Sequence, residues 1–158
     1  MCKVRDVALS MLKKSIDVAT TKNDRRYLMD YVKLHKMLYL GQCMLLGKYD
    51  LRLFEEPINA HNCGPYIEDA LNFIFNNYGT ELIERLEYDD GQRPVVLDLP
   101  YLRNEIVDFL IEKYGHFSTA DMVAFTKRTD AYMCYKGSYD QHPVISQDEM
   151  KAVGKRLI

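Results

Sequence analysis

Apolar residues recur along most of this chain at the three-and-four spacing of amphipathic helices. From about Lys3 to Ala19, Val4, Val7, Ala8, Met11, Leu12 and Ser15 share one side, which predicts a first helix. The polar stretch Thr20 to Arg26 interrupts it. A second helix is expected from about Tyr27 to Leu46, with Tyr31, Leu34, Leu38, Gly41 and Leu45 as its stripe and Gly47 as its stop. Lys33 and Lys36 lie off that stripe and are expected nearer to solvent. Pro57 excludes a helix interior, so Ile58-Asn59-Ala60-His61 reads as a short extended piece. Gly64-Pro65 reads as the opening of a third helix, whose face is Ile67, Leu71, Ile74 and Tyr78. Leu82, Ile83 and Leu86 suit a further helical turn. Asp90-Gly91 followed by Val95, Val96, Leu97 and Leu99 suggests a strand that pairs near residue 58. Leu102, Ile106, Phe109 and Leu110 form another apolar face, closed by Gly115. Ser118 to Asp121 and Ser146 to Glu149 have capping-box spacing ahead of Met122, Val123 and Phe125, and of Met150, Val153 and Leu157. The expected fold is mainly α: one domain over residues 1–158, a bundle of about six helices supporting a small two-stranded β element.

Composition narrows the function classes. With 21 Lys+Arg against 23 Asp+Glu the formal charge is −2, which lacks the basic excess of a protein that coats nucleic acid. An apolar fraction of 47% supports a packed core. No apolar run reaches the roughly 20 residues of a bilayer span, and no membrane partner is expected. Met1-Cys2-Lys3-Val4-Arg5-Asp6 has no apolar signal core, so a cytoplasmic setting with free thiols is expected for Cys2, Cys43, Cys63 and Cys134.

Candidate chemistry is sparse. Cys63, read as lying just before a helix start and two residues from His61, is the best nucleophile candidate and defines a thiol-enzyme alternative. His35 reads as a surface or boundary residue, His116 as a helix-end residue and His142 as a loop residue. The acids Glu55 and Glu56 read as solvated. No metal site, cofactor motif or catalytic set is expected. Lys22, Arg25, Arg26, Lys33 and Lys36 form a local basic group, and contact of Arg25, Arg26, Lys33 and Lys36 with operator DNA defines a second alternative, a regulator of its own operon. The chain has 12 tyrosines and no tryptophan. Tyr132, Tyr135 and Tyr139 would share a side of a helix, and tyrosine suits protein interfaces because it joins a large apolar face to a hydroxyl.

Three ordered stretches carry a family resemblance. Lys33-Leu34-His35-Lys36-Met37-Leu38-Tyr39-Leu40-Gly41-Gln42 resembles the KLQKLLYFAQ signature of Panacea-domain proteins, also described as phage-associated GepA-like or SocA-like. Phe54 to Pro65 is similar to the family's F-x-E-x-[FI]-x-A-W-x-x-G-P. Tyr114-Gly115 through Phe125-Thr126 and Thr129 to Tyr132 is similar to its YG…LS…LTH…PW. The resemblance spans about residues 30–158, after an N-terminal helix and connection over residues 1–26. His61, Lys127 and Ala131-Tyr132 replace the family's tryptophan, histidine and PW pair, marking a divergent member.

The resemblance implies an antitoxin without enzymatic activity that neutralises a cognate protein toxin by direct contact, in some relatives as an adaptor to an ATP-dependent protease. It implies that toxins unrelated to one another are held by similar domains. Tyr132, Tyr135, Tyr139, Lys33 and Lys36 are then the candidate partner contacts. Leu34, Leu38, Tyr39, Gln42, Gly64, Pro65 and Thr126 match the family pattern as scaffold.

Overall fold

A computed structural model describes residues 2–88 and 90–157; Met1, Asp89 and Ile158, part of the expected single domain, lie outside the described residues. Seven α-helices and one antiparallel strand pair follow among the described residues. They are α1 (Val4–Lys22), α2 (Tyr31–Tyr49), β1 (Asn59–His61), β2 (Gly64–Tyr66), α3 (Asn72–Tyr78), α4 (Tyr101–Tyr114), α5 (Thr119–Lys127), α6 (Asp130–Met133) and α7 (Gln147–Leu157). Arg25–Tyr27 and Tyr139–Gln141 form 3-10 turns. The mainly helical class with a two-stranded element is the one expected.

The second helix is the axis of the molecule. From Tyr31 to Leu46 every residue except Val32 is buried, so α2 has no solvated face, as a helix surrounded by others requires. α1, α3, α4, α5, α7 and β2 all pack on it. The Asp30 carboxylate caps its start by accepting the Lys33 N–H at 2.8 Å. Gly47 does not end α2, which runs on to Tyr49 and stops on Asp50 at φ 56°. Gly47 instead meets Gly154 of α7. A Cβ on Gly154 would lie 1.7 Å from the Cys43 carbonyl oxygen, and one on Gly47 would lie 2.5 Å from the Gly154 backbone. The two helices therefore cross backbone against backbone.

The serine caps form as read: Ser118 accepts the Asp121 N–H at 3.0 Å and Ser146 the Glu149 N–H at 3.2 Å. Glu55 and Glu56 are not idle surface acids. Glu56 caps α1 by accepting the Val4 N–H at 2.8 Å, and Glu55 pairs with Lys3. On α4, Ile106 and Leu110 are buried, but Phe109 faces outward.

Three expectations are corrected. Gly64-Pro65 opens a strand rather than a helix: Gly64 takes φ 112°, and β1 and β2 join through Asn62-Cys63 with His61 opposite Gly64. The third helix starts only at Asn72, although Ile67, Leu71 and Ile74 are buried as anticipated. Residues 80–88 form no helix and residues 95–99 no strand. Ile83 instead donates its N–H to the Met29 carbonyl at 2.8 Å, and the free edge of β1 is taken by the segment before α7. There Ala60 N–H donates to Pro143 O, and Ile145 N–H donates to Ile58 O, both at 2.8 Å.

Candidate functional site

Four polar side chains lie inside the buried axis, and each must find partners because an unpaired buried polar group is costly. Lys33 Nζ donates to the carbonyls of Gly115 at 2.6 Å, Arg26 at 2.9 Å and Leu28 at 3.4 Å. Lys36 Nζ donates to Pro65 O at 2.8 Å. Gln42 Nε2 donates to Phe54 O at 3.0 Å, and Gln42 Oε1 accepts the Leu53 N–H at 2.5 Å. His35 faces Tyr31 O through Nδ1 at 2.9 Å and Ile67 O through Nε2 at 3.3 Å.

Lys33 and Lys36 are therefore corrected from solvent-facing contacts to buried residues, each only 1% exposed. The wheel that put them off the apolar stripe presumed a solvated side that α2 lacks. Burial lowers both ammonium groups to about 8. His35 is likewise buried rather than at the boundary, and burial lowers its imidazole to about 4. Each of these side chains ties α2 to a neighbouring turn, loop or strand, so the stretch Lys33 to Gln42 assembles the surface without lying on it.

Beside this frame sit the tyrosines. Thr129 Oγ1 donates to Thr126 O at 2.7 Å and receives the Tyr39 hydroxyl at 2.5 Å. Thr126 is buried, its hydroxyl on the Met122 carbonyl at 2.9 Å. Leu34 and Leu38 are wholly buried.

Tyr132, Tyr135 and Tyr139 do not share one helical face, because α6 stops at Met133 and Gly137 turns the chain at φ 94°. Tyr132 is buried, and its hydroxyl donates to His61 O. Tyr139 returns from the 3-10 turn to stack on Tyr132 at 4.5 Å, its hydroxyl donating to Tyr132 O at 3.1 Å. The Tyr135 hydroxyl accepts the Ser146 N–H at 2.9 Å. Tyr135 and Tyr139 remain half-buried, and Met133 and Val144 in the same stretch of chain are exposed.

A ladder of rings leads from the core to the surface. His35 stacks on Tyr66 at 4.1 Å, Tyr66 lies 4.8 Å from His61, and His61 stacks on His142 at 3.7 Å. The Tyr31 and Tyr66 hydroxyls bond at 2.8 Å. Glu68 closes the outer end, and its role left no local signal because His61, Glu68 and His142 come from three separate segments.

Cys63 is exposed at the hairpin turn, where the following residues form a strand, so the helix start expected to activate it is absent. The His61 ring turns to Glu68 and His142. The basic group also disperses. Lys33 and Lys36 are inside, while Arg25 pairs with Glu84 and Arg26 with Asp24 at 2.8 Å. No helix among the described residues is long and apolar enough to cross a membrane.

Residues 34–131 match a family model described as antitoxin SocA-like, Panacea domain, which covers well over half of the 158 residues. No curated protein and no solved structure matches the chain. The match takes in α2 from Leu34, the hairpin and Thr126, and it ends one residue before Tyr132.

Proposed function

The chain belongs to the family of SocA-like Panacea-domain antitoxins, and on that premise we propose that it holds a cognate protein toxin by direct contact and acts by binding rather than by turnover. The family match over residues 34–131 carries this reading. The contact face we assign is the connection between α6 and α7. It presents the free edges of Tyr135 and Tyr139 with Met133, 47% exposed, and Val144, 55% exposed. Tyr132 supports this face from beneath, and Lys33 and Lys36 hold the frame on which it rests. Aromatic and methionine side chains with few charges suit the centre of a protein interface. The face lies beyond the family match.

The test is co-expression with the product of the adjacent open reading frame. A stable complex and rescue of growth are expected. Met133→Lys and Val144→Lys, each placing a charge in the face without touching the core, are expected to abolish co-purification while leaving the melting temperature of the free protein unchanged. Failure of the wild-type chain to form a complex or restore growth would refute the antitoxin reading. A complex that survives both substitutions would move the contact elsewhere.

A further inference from the structure

His61 ends β1, Glu68 follows β2, and His142 closes the 3-10 turn ahead of α7. His61 Nε2 hydrogen-bonds Glu68 Oε1 at 3.0 Å, and His142 Nδ1 lies 2.9 Å from the same oxygen. The two imidazole planes are stacked, 8° apart. We propose that His61, Glu68 and His142 form a binding site for a borderline divalent transition ion such as Zn²⁺, with water completing the coordination shell. This assignment does not depend on the antitoxin reading.

The donor set decides the class of ion. Two imidazole nitrogens and one carboxylate oxygen suit Zn²⁺ or Ni²⁺, whereas Mg²⁺ and Ca²⁺ seek oxygen ligands. The three ligand atoms lie within 4.8 Å of one another. Ligands about 2.1 Å from a tetrahedral ion sit roughly 3.4 Å apart. To admit one, the carboxylate must withdraw by a few tenths of an ångström, and the stacked rings must splay until both ring nitrogens face the ion. Both histidines are anchored through their backbones. The His61 ring is packed between Tyr66 and His142, and its carbonyl receives the Tyr132 hydroxyl. The His142 carbonyl accepts the Asn59 side-chain N–H at 2.8 Å. The side chains of His142 and Glu68 are 46% and 41% exposed, which leaves an outer side open to water. A bound ion would tie the hairpin to the segment before α7, so binding should stabilise the fold.

The full chain, freed of chelator, is titrated with zinc, nickel and magnesium chlorides by calorimetry and thermal melting. One equivalent of Zn²⁺ or Ni²⁺ is expected to bind and raise the melting temperature, and Mg²⁺ to do neither. The Co²⁺ adduct should show d–d bands without a thiolate charge-transfer band. Glu68→Gln keeps size and hydrogen bonding, and His142→Asn keeps a residue that tolerates the left-handed backbone. Both should weaken Zn²⁺ at least about tenfold, while Cys63→Ser leaves it unchanged. If His142→Asn lowers the metal-free melting temperature, Glu68→Gln alone decides. Absence of binding at millimolar zinc, affinity unaltered by Glu68→Gln, or binding lost with Cys63→Ser would overturn the assignment.

Discussion

Lys33 brings three N–H donors to three carbonyl oxygens, from Arg26 and Leu28 before α2 and from Gly115 after α4. A neutral amine has only two donors, so the geometry favours the charged form while burial opposes it. Lys36 has one such carbonyl, from Pro65. Their removal should therefore differ. Lys33→Met leaves three acceptors without their donor and is expected to cost about 3 kcal/mol of stability, against about 1 kcal/mol for Lys36→Met, because an orphaned buried acceptor costs on the order of 1–3 kcal/mol and the lost charge burial offsets part of it. Urea denaturation of both variants checks the order. The sign of the pH dependence follows from the same burial. The folded value near 8 lies below the unfolded value of 10.5 for each lysine, so between these limits the unfolded chain binds more protons and stability rises with pH. A gain of about 1–3 kcal/mol is expected from pH 8 to about 9.5. It should shrink in Lys36→Met. Above pH 10 the raised ionisation of Tyr31, Tyr39 and Tyr132, set chiefly by burial, reverses the trend. A flat profile from pH 8 to about 9.5 would show that the lysines reach solvent.

Between elements, the crossing of α2 and α7 tolerates no side chain at Gly154, where a Cβ would fall 1.7 Å from a carbonyl oxygen. Gly154→Ala must push two backbones apart. It is expected to cost at least about 3 kcal/mol, the upper range for overpacking, read as a lowered melting temperature. Gly91→Ala is the milder contrast, since its Cβ would meet nothing and only its φ of 80° is strained. The crossing was not legible in the sequence, because two glycines far apart carry no mark of facing one another. What was legible was local. The period of α1 and the serine caps of α5 and α7 follow from residues within one turn. The burial of Ile67, Leu71 and Ile74 also survived although their helix was misplaced. The partner of β1 was not local. Val95 to Leu99 has the composition of a strand, but Pro143 and Ile145 already occupy the edge it would need. The interior place of Lys33, Lys36 and His35 was hidden for a related reason: a wheel shows which residues share a side, whereas only the surrounding helices decide whether any side meets water.

The parts of the molecule differ in how firmly they are held. α2 is enclosed on every side, while the long connection between α3 and α4 crosses the surface of α1 with few anchors. Ile83 and Leu99 are its buried ends, and between them only Leu86 and Val96 among the aliphatic side chains pack on the core. Among the described residues its internal backbone hydrogen bonds include the local pair Tyr88 N–H to Gln92 O and Gly91 N–H to Tyr88 O, both at 2.8 Å. Such a segment opens at low free-energy cost and without unfolding the rest. Limited trypsin digestion should therefore cut first at Arg85, whose side chain is 82% exposed. The two fragments should stay together in size-exclusion chromatography, because α1 and α2 on one side of the cut pack on α4, and α2 also on α5 and α7, on the other. Amides of α2 should exchange with solvent only through global unfolding. Early cleavage within α2, or fragments that separate without denaturant, would contradict an enclosed axis. The contact face proposed between α6 and α7 lies outside the cut segment, so under that proposal the nicked protein should still bind a toxin.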